Sequence, residues 1–131
     1  MSSPPRAPVA RPKYVDINLL HLPIPGLVSI FHRVTGVAMF AFLIPGLLLL
    51  LQYTLGSEEG FNRWKGYFAE PAVKVILLGF VWAYMHHFFA GIRYLMLDLH
   101  IGVALAPARL SAKLVVVCSL AATLLIGVRI W

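Results

Sequence analysis

The stretch VTGVAMFAFLIPGLLLLLQYTLG, Val34–Gly56, decides the fold class: it runs for 23 residues without an Asp, Glu, Lys or Arg. A bilayer core about 30 Å thick is crossed by roughly 20 helical residues at about 1.5 Å each. Moving outward, Val75–Ile92 is a second uncharged run, bounded by Lys74 and Arg93. Leu114–Val128 is a third, shorter one, bounded by Lys113 and Arg129. Those basic ends can snorkel to the interfaces, and Trp131 suits an interface anchor. The expected fold is therefore an all-α integral membrane protein with three spans, 29–56, 72–97 and 111–131. A tail and inner-face segment, 1–28, precedes this membrane domain, 29–131.

Composition supports the same class. Hydrophobic residues make up 60% and charged residues 12%, with mean hydropathy +0.85, against roughly 25% charged in a soluble domain. That excludes intrinsic disorder and a small soluble enzyme. The net charge of +6 is dispersed along the chain, with no run to track a phosphate backbone, so nucleic acid is not an expected partner. One cysteine permits no internal disulfide and no zinc-ligand pair. Arg6, Arg11, Lys13, Arg33, Arg93, Arg109 and Lys113 fall at one set of span ends, and Arg63, Lys65, Lys74 and Arg129 at the other. This excess places the N-terminus inside. The leader Met1–Lys13 lacks the apolar region of a secretory signal and reads as a short disordered tail.

Punctuation sets the expected element ends. Pro71 opens the second helix, Ser111 caps the third, and Gly102 with Pro107 marks the loop between them. Gly56 and Ser57 close the first helix, Pro45 kinks it, and the aromatics of the following loop (Trp64, Tyr67, Phe68) form an interfacial belt.

Two places carry more than an anchor needs. The first is Ser29-Ile30-Phe31-His32-Arg33-Val34-Thr35-Gly36. At about 100° per residue, Ser29, His32, Arg33 and Gly36 share one side of a helix. They offer a hydroxyl, an imidazole, a fixed positive charge and a gap. Such residues serve either as headgroup-level anchors or as a site holding a carbonyl or carboxylate at the membrane edge.

The second is Tyr84-Met85-His86-His87-Phe88-Phe89-Ala90-Gly91-Ile92-Arg93-Tyr94. An ionisable residue in mid-span is a functional candidate by default, and His87 is one. Phe80, Tyr84, His87, Gly91 and Tyr94 line one stripe, where an imidazole, aromatic walls and space over Gly91 would suit a haem. The alternative is a histidine hydrogen-bonded across a helix interface. His86 points elsewhere and reads as an interface residue or as one that supports the site from behind. His21 and His100 lie outside the spans and His32 near an edge, so a second axial ligand would come from another protein. Asp98 is expected to pair with Arg93, Arg109 or Arg33. Cys118 reads as packing, and the stripe Ser119, Thr123, Gly127 as close helix contact, within this chain or with a partner.

Together these segments resemble the cytochrome b556 membrane-anchor subunits of succinate dehydrogenase, respiratory complex II. The match includes Arg11-Pro12, Val15-Asp16-Ile17 and Pro23-Ile24. It continues with the Ser-x-x-His-Arg-x-Thr-Gly element from Ser29 to Gly36 and the His-x-x-x-Gly-Ile-Arg element from His87 to Arg93, and reaches Asp98. The resemblance implies a b-type haem shared with a second anchor subunit, with His87 as axial ligand to the iron. It implies a ubiquinone pocket that uses Ser29 and Arg33. His32, Arg33 and Arg93 match positions near the haem propionates. Many members carry His where this chain has Tyr94.

The resemblance also implies docking of an iron–sulfur and a flavoprotein subunit on the inner face. The chain itself would not oxidise succinate, since it has no dinucleotide fingerprint and no cysteine cluster. The expected role is electron transfer from succinate to quinone in a bacterial inner membrane, a mitochondrial one being less favoured by the short leader. A fumarate reductase anchor and a non-redox scaffold are the rival readings.

Overall fold

A computed structural model describes residues 22–131. The tail, Arg11-Pro12, Val15-Asp16-Ile17 and His21 lie outside the described residues. Helix α1 (Ile24–Ala38) passes through a five-residue π turn, Met39–Leu43, into α2 (Ile44–Gly56). Then come α3 (Glu58–Ala69), α4 (Pro71–Asp98) and α5 (Leu105–Ile130). Three stretches are long and apolar enough to cross a membrane: Ile24–Gly56, Pro71–Asp98 and Leu105–Ile130. The protein is all-helical among the described residues and crosses the membrane three times.

Each span is longer than expected, for local reasons. Helix α1 starts five residues earlier than position 29 because Pro25 sits in its first turn, where a missing N–H leaves nothing unpaired. Helix α5 starts six residues before Ser111. Pro107, expected in the loop, occupies its first turn, and Ser111 lies inside the helix, its hydroxyl donating to the Ala108 carbonyl. Pro71 does open α4. Pro45 does not break the first span. The chain loosens just before it into the π turn, where the Ile44 amide bonds the Met39 carbonyl. A widened turn is the accommodation expected upstream of a residue with no N–H and a ring that crowds the preceding turn.

Helix α3 was not anticipated. The Ser57 hydroxyl accepts from the Gly60 amide at 3.0 Å, which makes it an N-cap, and Glu58 and Glu59 fill the first turn, where the helix dipole favours acids. At the other end of the molecule α4 stops in a two-bond cap. His100 adopts φ 60°, its amide bonds the Leu97 carbonyl, and the Ile101 amide bonds the Met96 carbonyl. This is the glycine-type helix stop with histidine in the left-handed position.

Helix α4 is central, packed by α5 and by α1. Its buried residues, Ala83, His86, Ala90 and Arg93, recur at helical spacing and meet Ala112, Val115 and Ser119 of α5 and Val28 and Thr35 of α1. The small side chains let backbones approach closely, which in lipid replaces the hydrophobic effect as the source of association. Gly127 faces Leu78: a Cβ placed there would stand 3.2 Å from its side chain. The Ser119–Gly127 stripe thus serves packing within the chain. Outside this seam the surface is apolar and open, with Phe40 75% and Leu55 81% exposed. Such a surface needs lipid or another membrane protein around it.

Candidate functional site

The site lies where α1 crosses α4. Histidines 32 and 87 stack there, ring centroids 4.1 Å apart and planes 16° from parallel. Each ring lies over the other helix's glycine. A Cβ on Gly36 would come within 2.9 Å of His87 Cε1, and one on Gly91 would stand 3.9 Å from His32 Nε2. The space over Gly91, expected to be clear for a flat ring, is occupied by His32.

His87 Nδ1 is 2.9 Å from the His32 carbonyl oxygen. A carbonyl only accepts, so Nδ1 carries the proton and Nε2 keeps its lone pair. A metal-binding histidine is commonly oriented through such a bond from its other nitrogen. Among the described residues Nε2 has no hydrogen-bond partner. Thr35 Oγ1 stands 3.4 Å from the same Nδ1 and donates to the Phe31 carbonyl at 2.7 Å. Tyr94 closes one side, its ring 5.1 Å from that of His32.

His86 is indeed an interface residue. It is 2% exposed, set between the rings of Phe31 and Trp82, and neither of its nitrogens has a hydrogen-bond partner among the described residues. The expected single face of the first motif divides in two. His32 and Gly36 face α4, whereas Arg33 is exposed and Ser29, one turn earlier, is half-buried. Ser29 and Arg33 are neighbours at i, i+4 on the outward side.

Arg93 does not join His87. It is buried at 6% exposure and turned toward α5, where its Nε donates to Ser111 Oγ at 3.0 Å and an Nη to the Ala108 carbonyl at 3.4 Å. The expected pairing of Asp98 is absent: among the described residues the one ion pair is Arg63–Glu59 on α3. No cluster of three metal-ligating side chains occurs among them either, so a metal would be held by histidine singly.

One signal went unread in the sequence. His32-x-x-x-Gly36 and His87-x-x-x-Gly91 repeat the same spacing on both helices, and the repeat is what lets the rings interlock.

The family model for the succinate dehydrogenase/fumarate reductase transmembrane subunit matches residues 8–126. The chain belongs to that family. Its relatives include the succinate dehydrogenase cytochrome b556 subunit of Coxiella burnetii, 31% identical over 92% of this chain and 97% of the relative. Subunits of the same name from Rickettsia felis and Rickettsia typhi are 29% and 31% identical, each over 90% of this chain and 91% of theirs. Family members are membrane subunits, in accord with the three apolar helices.

Proposed function

We propose that this chain is the membrane-anchoring cytochrome b subunit of a bacterial inner-membrane succinate dehydrogenase. It holds b-type haem on one side through His87 and helps form the site of ubiquinone reduction. The observation that carries this reading is the His87 Nδ1 contact with the His32 carbonyl, which presents Nε2 as a ligand nitrogen. Bound haem would supply a one-electron carrier beside the quinone site. A second anchor subunit would supply the other ligand to the haem iron and would cover the exposed side of α1. The iron–sulfur and flavoprotein subunits complete the complex.

Reducing a quinone adds electrons and protons, and the residues here act on the oxygens where charge develops. Ser29 donates a hydrogen bond to a quinone oxygen. Arg33 holds negative charge that builds there, its guanidinium being free of any carboxylate partner among the described residues. His32 orients His87 through its carbonyl, and its own ring, stacked on His87, would help hold the haem propionates. Arg93 is turned to α5, where Ser111 and the Ala108 carbonyl hold its guanidinium.

The test is the reduced-minus-oxidised absorbance of membranes co-expressing this chain with its partner subunits. Wild type should show a b-type signal, and His87→Ala should lose it. A wild type without the signal, or a His87→Ala that retains it, overturns the ligand assignment, and the quinone role then rests on Ser29 and Arg33 alone. Turnover with ubiquinone against menaquinol-linked fumarate reduction separates the two directions of chemistry.

A further inference from the structure

Between the inner halves of α4 and α5 lies a half-open groove of about 370 Å³, apart from the histidine crossing. Its wall is apolar, with Phe89, Met96, Leu114 and Cys118 among the lining residues, and its polar lining includes Arg93 and Ser111. Arg93 is a buried cation whose two hydrogen-bond partners, a hydroxyl and a carbonyl, are both neutral. Among the described residues no carboxylate pairs with it. Three of its five N–H groups are left over, and Nη1, which makes no hydrogen bond among the described residues, is not sealed from the surroundings. A buried charge without a counter-ion is costly, and a guanidinium fork suits a phosphate.

We propose that this groove binds one anionic phospholipid, with the phosphate on Arg93 and one acyl chain along Phe89, Leu114 and Cys118. The level is appropriate. Arg93 lies five residues before the end of α4, about 7 Å along the axis, within reach of the headgroup layer. Arg109 and Lys113 stand exposed at the same end and add to the attraction for an acidic headgroup. An apolar partner helix would fill the wall and leave the guanidinium unpaired, whereas a free phosphate would leave the wall uncovered. Only a molecule with both an anionic head and an apolar tail matches both.

The test uses the intact complex, purified in mild detergent and loaded with phosphatidylglycerol carrying a photoreactive acyl chain, followed by peptide mapping. Label should concentrate on the peptides spanning Phe89–Ile101 and Leu110–Cys118. It should fall at least fivefold in Arg93→Gln, and equally with photoreactive phosphatidylcholine. Excess inorganic phosphate should leave it unchanged. Equal labelling by the two lipids, unchanged labelling in Arg93→Gln, or displacement by inorganic phosphate overturns the proposal. So does absence of label from both lipids, which would mean that protein covers the groove. Should Arg93→Gln not assemble, Cys118→Phe decides: it fills the groove while keeping Arg93, and must reduce the label.

Discussion

At the scale of single residues, the two site glycines do unequal work. A methyl group on Gly36 meets the His87 ring at 2.9 Å, too close without displacing it, whereas on Gly91 it stands 3.9 Å from His32 in ordinary contact. Gly36→Ala should therefore destabilise the α1–α4 pair by about 1–3 kcal/mol, as overpacking does. It should also broaden or abolish the b-type spectrum, while Gly91→Ala should leave the thermal stability of the complex nearly unchanged. Thermal melts of the two variants side by side check the contrast; equal effects would refute it. His86 offers a second case. Its two nitrogens are buried without partners between aromatic rings, and an unpaired buried polar group costs about 1–3 kcal/mol. His86→Phe, similar in shape, should raise the melting temperature and keep the haem spectrum. A lower melting temperature would mean that a partner group reaches the ring.

At the scale of elements, helix ends were the least legible part of the sequence. The apolar runs announced three spans, but a run of uncharged residues measures the lipid-facing length and not the helix. Helix α5 therefore begins six residues before Ser111, in a stretch whose Ala, Leu and Pro give no cap signal. Helix α3 was legible in principle. Ser57 followed by Glu58 and Glu59 is an N-terminus pattern, and Phe61, Trp64 and Phe68 repeat at helical spacing, yet the aromatics read first as a membrane belt. Ser57→Ala should cost about 1 kcal/mol by loss of the cap, seen as faster amide exchange in Glu58–Gly60 with α4 and α5 unaffected. The stop of α4 points the other way. His100 holds φ 60°, a conformation costing roughly 1–2 kcal/mol for a residue with a Cβ. His100→Gly should recover about 1 kcal/mol, read as slower proteolysis of the α4–α5 loop. A faster cut would show that the His100 side chain holds the loop.

At the scale of the whole molecule, most of the apolar surface of the first span is open, and the haem proposed above would take one ligand, His87, from this chain. The chain expressed alone should thus give membranes without the b-type signal, restored on co-expression with a second anchor subunit; a signal from the chain alone would show that it completes the haem site by itself. The family was legible from motif spacing, because spacing fixes which residues share a helix face. The surroundings of Arg93 were not legible, because spacing does not reveal which neighbour a face meets: only the packing of α5 shows the guanidinium held by Ser111. The occupation of the Gly91 gap by His32 was hidden for the same reason. That interlock bears on how the protein sits in membranes of different thickness. Sliding α1 along α4 by even one residue would carry each ring off its glycine and into a side chain, so the helices cannot adjust their relative height. A thinner or thicker bilayer must instead be met by tilting the pair as one body, and the level of the His87 imidazole within α1 and α4 stays the same whatever lipid surrounds them.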